Sequence, residues 1–124
     1  MGSLLYKQES YTIIGVCMEV HRELGKGFSE MVYGDALEIE LINNNIKYKR
    51  EVKFNITYKG DLLSHFYVAD FIIDNKIVLE IKAIENLTKS HVKQTLNYLA
   101  ASKLKLGILA NFGEDSLTYK RVVL

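Results

Sequence analysis

The chain has 124 residues and a single cysteine, Cys17. An intrachain disulfide is therefore impossible, and a cysteine-rich zinc site is excluded. Net charge is nearly absent: 16 Lys and Arg stand against 15 Asp and Glu. So even a balance does not announce a nucleic-acid binder, although phosphate binding depends on local rather than total charge. No apolar run reaches the ~18 residues that a membrane span needs. No signal peptide is read at the start, so the expected location is the cytoplasm, with no membrane partner. Low-complexity linkers and internal repeats are missing too. What remains has the length of one domain, residues 1–124, large enough for a real core. Residues 1–10 are expected to form a loosely ordered segment.

The most informative stretch runs from His65 to Lys82. It reads as two apolar strands joined near Asp74-Asn75-Lys76, interrupted by Asp70, Glu80 and Lys82. A charge inside a strand that otherwise reads as buried is costly unless it is paired or binds something. Two acids and a lysine are an inventory for binding a divalent metal and handling a proton. Parity tests the idea, because side chains alternate between the faces of a strand. A two-residue turn sets Asp70 and Glu80 on opposite faces. A three-residue loop with Asn75 in the left-handed region puts Asp70, Glu80 and Lys82 on one face. The metal chemistry therefore requires an odd-length loop.

Before this hairpin, Ile13, Val16, Cys17, Val20 and Leu24 form one helical stripe over residues 11–24. Gly25 is its expected stop. Cys17 on that stripe reads as a packing residue, and His21 and Arg22 suit a helix end. Ser29 is the expected N-cap of a second helix reaching Asn43. Glu30 stands in its first turn, on a stripe with Tyr33, Leu37 and Leu41. Either helix-start electrostatics or a site role explains it. Residues 46–58 alternate as a strand, with Lys47, Lys49, Arg50 and Lys53 as candidate phosphate contacts on a face that reads by default as solvated. Downstream, Thr88 caps a helix expected to end near Ser102. His91, Gln94 and Tyr98 make a polar stripe on it. Strands follow at 105–110 and 117–124, the first reached by a crossover.

These residues resemble the GxxExxY proteins, a group placed in the PD-(D/E)XK nuclease-like superfamily. The name motif stands here as Gly27-Phe28-Ser29-Glu30-Met31-Val32-Tyr33. The likeness extends through Met18 to Gly25, Tyr67 to Asp70, Glu80-Ile81-Lys82-Ala83, His91 to Tyr98 and Asn111-Phe112-Gly113. It spans nearly the whole chain from Tyr11. Each motif alone is weak, but their order and spacing together are specific. One departure is Lys26, where members often carry proline, a residue this chain lacks altogether.

The resemblance implies an α/β (α+β) fold: a restriction-endonuclease-like mixed sheet with a central antiparallel meander, flanked by helices. It implies that Asp70, Glu80 and the backbone carbonyl of Ile81 hold Mg²⁺ or Mn²⁺. Lys82 would orient or activate the attacking water. Glu30, or second to it Glu19, would complete the site. Gln94 and Tyr98, with His91 on the same stripe, would contact the substrate. The expected function is metal-dependent phosphodiester hydrolysis in DNA or RNA. A non-catalytic nucleic-acid- or protein-binding module is the alternative. A small domain offers little surface to grip a duplex, so a homodimer or a protein partner is also expected.

Overall fold

The structure, a computed structural model, describes residues 4–124. Helices α1 (Lys7–Leu24) and α2 (Glu30–Asn43) precede strands β1 (Tyr48–Tyr58), β2 (Asp61–Ile73) and β3 (Ile77–Lys82). Helix α3 (Lys89–Ser102) then leads to β4 (Leu106–Asn111) and β5 (Thr118–Val123). The strands lie in sequence order in one sheet. All neighbours are antiparallel except β3 and β4, which are parallel because α3 carries the chain back across the sheet.

The two faces are covered differently. On one, Ile13, Val16, Cys17 and Val20 of α1 join Tyr33, Leu37 and Leu41 of α2 over Phe71, Leu79 and Ile108. On the other, Val92, Leu96 and Leu99 of α3 cover Ile72, Val78 and Val122. Strand β4 is buried at all six positions, as expected of a strand with a neighbour on each side and helices on both faces. Gly107 lets α3 approach it: a Cβ there would stand 2.6 Å from the Thr95 methyl group.

The expected element order is the observed one. Helix α1 starts at Lys7, with Ser10 already buried, so the loosely ordered segment expected over residues 1–10 is corrected from Lys7 onward. Ser10 is tied to the C-terminal strand through Arg121, which also reaches the Leu5 carbonyl. The same expectation for residues 1–3 lies outside the described residues. Gly25 ends α1 with φ 68°, a conformation that favours glycine. No helix among the described residues is long and apolar enough to cross a membrane.

Candidate functional site

The β2–β3 loop contains three residues, Asp74 to Lys76, as the parity argument required. Asn75 is left-handed with φ 55°, and so is Asp74 with φ 51°. The ladder pairs Ile73 with Ile77, Ile72 with Val78 and Phe71 with Leu79. Beyond Phe71 and Leu79 the carboxylates take over. The Asp70 backbone N–H donates to Glu80 Oε2 at 2.9 Å, and the Ile81 N–H donates to Asp70 Oδ2 at 2.8 Å. Each acid thus satisfies a backbone group of the opposite strand, and the two side chains are locked together.

Strict alternation does not survive this exchange. Phe71 packs on the α1–α2 side and Ile72 on the α3 side, yet Ala69 also packs on the α3 side. Strand β1 turns over in step: Tyr48 joins the α1–α2 side, whereas Val52 and Phe54 join α3. The hinge in β1 is Glu51, with φ 53°. Pairing continues on either side of it, Arg50 with Phe71 and Val52 with Ala69. Strand β3 keeps its alternation, with Ile77, Leu79 and Ile81 on the α1–α2 side and Val78 on the α3 side, so Glu80 and Lys82 share the α3 side, and the reversal falls in β1 and β2, at Glu51 and Asp70.

Burial makes the paired acids electrostatically tense. Glu80 is only 2% exposed. Its carboxyl is pushed up to about 8, first by burial and then by the charge of Asp70. Asp70 is also raised, mainly by burial, against the pull of the Ile81 N–H. Tyr98 is pushed up to about 12, by burial and then by the charges of Glu80 and Asp70. Its ring packs edge-on against Tyr67, with centroids 5.4 Å apart.

Asp70 opens into a cleft of about 110 Å³ lined also by Glu30, Gly34, Arg50, Glu51 and Ile81. The motif Gly27-x-x-Glu30-x-x-Tyr33 has a mechanical reading here. Buried Tyr33 donates its hydroxyl to the Gly25 carbonyl at 2.6 Å and accepts the Phe28 N–H at 3.3 Å. It also stacks on Phe112 at 4.6 Å. The turn before α2 is thereby fixed, and Gly27 at φ 112° supplies the bend. Glu30 begins the helix and lines the cleft. Ser29 stands at the N-cap without a side-chain capping bond. Lys26, between the two glycines of that turn, pairs with Asp115 at 2.7 Å. Glu19, the second candidate acid, pairs with Arg22 and is not among the residues of this cleft.

Lys82 turns to α3, donating to Gln94 Oε1 at 3.1 Å. The backbone behind it is held just past the end of β4, where the Phe112 N–H donates to the Lys82 carbonyl at 2.8 Å. Asn111, fully buried, clasps the next turn. It accepts the Ile84 N–H at 3.0 Å and donates to the Ile84 carbonyl at 2.9 Å. His91 is engaged locally: its Nδ1 accepts the Thr88 N–H at 3.0 Å, closing a capping box for α3. Arg50, read as a candidate phosphate contact, is corrected. It bonds Asp35 and Glu38 at 2.7 Å each and lies over the Phe71 ring. Among the described residues no three His, Cys, Asp or Glu side chains gather closely enough to hold a metal by themselves.

Sequence reading missed Glu51 and the clasp made by Asn111. Glu51 sits in an alternating strand among basic residues and looks like part of a wet face. Only its left-handed backbone, which an acid rarely adopts within a strand, marks it. Asn111 was visible as a strand end, but its partner lies 27 residues away.

A family model described as the PD-(D/E)XK nuclease superfamily matches residues 7–122. The chain belongs to that superfamily. Among solved structures, the crystal structure of SSO0001 is similar with a TM-score of 0.61 and 25% sequence identity. The match covers 74% of this chain and 48% of that one, so this superfamily member spans about half the length of that structure's chain. No curated protein matches the sequence. The fold is accordingly restriction-endonuclease-like: a mixed, mostly antiparallel five-stranded sheet between helices. Nucleases of this superfamily generally use divalent metals.

Proposed function

We propose that this chain is a metal-dependent nuclease that hydrolyses phosphodiester bonds in DNA or RNA. The observation that carries the reading is the locked pair of Asp70 and Glu80. Two carboxylates are held together, one of them buried, at a cost that a cation would relieve. The donor set fits a hard ion: two carboxylates and the Ile81 backbone carbonyl would hold Mg²⁺ or Mn²⁺, with Glu30 lining the cleft beside Asp70 and Ile81. When bound, such an ion supplies charge neutralisation at the phosphate and a more acidic water.

The chain's own residues divide the remaining work. Lys82 holds the attacking water in line and donates a hydrogen bond to it. Gln94, already bonded to Lys82, fixes the ammonium group and reaches toward the substrate strand. Tyr98 keeps its proton throughout the neutral range and offers a hydroxyl donor to the substrate. His91 belongs to the same substrate-facing helix, with its ring oriented by Thr88. Buried Cys17, its thiol pushed up to about 12 by burial, takes no part and suits a cytoplasmic setting. Assembly as a homodimer or with a protein partner would enlarge the surface available to grip the substrate.

One arrangement favours a second reading, a non-catalytic binding module of the same fold. Lys82 is bonded to Gln94, and among the described residues no three acids gather closely enough to hold a metal by themselves. Asp70→Ala and Glu80→Ala decide between them. On the nuclease reading, both lose Mn²⁺ binding in calorimetry and cleavage of labelled single- and double-stranded DNA and RNA together. Tight Mn²⁺ binding by the parent with no cleavage of any of these substrates selects the binding module.

A further inference from the structure

Beside the paired acids lies a second depression, of about 540 Å³, between the end of β3 and α3. It is lined by Lys82, Ser90, His91, Lys93, Gln94 and Asn97. Each of these side chains can donate a hydrogen bond, and none is acidic. Ser90, Lys93, Gln94 and Asn97 fall at i, i+3, i+4 and i+7, so one face of α3 presents them together. The first turn of that helix carries no acid either. That is unusual at a helix start, where acids offset the dipole.

The capping box sharpens the character of this surface. Because His91 Nδ1 accepts the Thr88 N–H, the ring proton resides on Nε2. His91 therefore also contributes a donor. Lys82 is shared: it forms one wall of the depression and follows Glu80 by two residues on β3. A donor-rich surface free of acids, joined through one lysine to the acid pair, suits a phosphate of a strand that continues past the acids.

We propose that this depression is a phosphate subsite. It holds a backbone phosphate of the nucleic-acid strand flanking the bond addressed at Asp70 and Glu80, with Lys93 and Asn97 as its principal contacts. The proposal rests on the nuclease reading for its ligand. It adds the path of the strand, along α3 from Lys82 toward Asn97.

The test uses the full chain carrying Asp70→Asn, which keeps an acceptor for the Ile81 N–H, in EDTA so that no cleavage occurs. Binding of a short labelled DNA single strand, and of its duplex, is followed by fluorescence anisotropy across a KCl series. Adding Lys93→Ala should weaken binding about fivefold, as for loss of a net hydrogen bond. It should also reduce the slope of log affinity against log salt by roughly 0.7–0.9, the loss of one phosphate contact. Asn97→Ala should weaken binding without changing the slope. Lys7→Ala, on the other side of the sheet, should change neither. An unchanged slope for Lys93→Ala, or no binding by the Asp70→Asn parent, overturns the subsite. The nuclease reading is scored separately, by cleavage with the unsubstituted chain in Mn²⁺. Cleavage with a Lys93-independent slope removes the subsite alone. A Lys93-dependent slope without cleavage keeps the subsite and removes the nuclease.

Discussion

The two ends of the β2–β3 hairpin are built from the same chain segment by opposite means. At the turn end, Phe71 to Ile73 and Ile77 to Leu79 form a regular ladder, and every one of those side chains is apolar and buried. At the open end, side-chain carboxylates replace carbonyls as acceptors for the amides of Asp70 and Ile81. The first end stabilises the fold by hydrophobic burial. The second end places paired acids where solvation of their charge is poor. The difference teaches that the site is not an ornament on a finished sheet. It is the place where the sheet stops satisfying itself through backbone alone.

Three substitutions separate the ends. The largest effect is expected at the open end, on the reaction. Lys82→Ala should leave Mn²⁺ binding intact or slightly tighter, since a nearby positive charge is removed, while cleavage slows by roughly 10²–10⁴-fold. Calorimetry and single-turnover cleavage on the same sample check this. Equal loss of metal binding and rate would mean that Lys82 acts through the structure of the site.

Next comes the turn end. Leu79→Ala should cost about 2–5 kcal/mol of stability, the usual range for a buried leucine. Urea denaturation measures the cost, and Mn²⁺ affinity of the folded variant should be unchanged. A large change in affinity would show that the two ends are coupled and that the contrast between them is overdrawn.

The smallest effect belongs to Glu80→Gln, and its sign depends on pH. In the folded chain Glu80 holds its proton up to about 8, against an ordinary value of 4.5. Between those values the folded state binds a proton that the unfolded chain has released. Stability therefore falls as pH rises through that window and levels off above about 8. Glutamine can still accept the Asp70 N–H but carries no charge. The variant should lose this decline and exceed the parent by on the order of 2–4 kcal/mol at mildly alkaline pH. Adding Mn²⁺ should stabilise the parent and not the variant. Parallel stability curves for the two would remove the buried charge from the account.

The turn end was the more legible of the two in the sequence. The interrupted apolar run from His65 to Lys82 disclosed both strands, and the demand that two acids meet disclosed the loop length. The helix stripes gave α1, α2 and α3 because their 3.6-residue period is local. The open end was legible only as an inventory. That Glu51 lines the cleft follows from a backbone reversal in β1, and alternation alone predicts the opposite of a reversal. Arg50 was misread for a related reason. Its partners Asp35 and Glu38 come from a helix whose distance from β1 no spacing rule encodes. His91 was read as one of a polar stripe, whereas its Nδ1 completes a helix cap.

The grip of Asn111 on Ile84 divides the connector between β3 and α3 into two parts with different histories open to them. Up to Ile84 the backbone is held on both its amide and its carbonyl. A residue gained or lost there would drag Lys82 out of line with the acids. From Glu85 to Leu87 the chain is a loop between two fixed points, and lengthening such a loop costs little entropy. Insertions in related chains should therefore accumulate after Ile84, and a protein engineer seeking a place to splice a reporter or a targeting module has three residues to choose from, Glu85, Asn86 and Leu87.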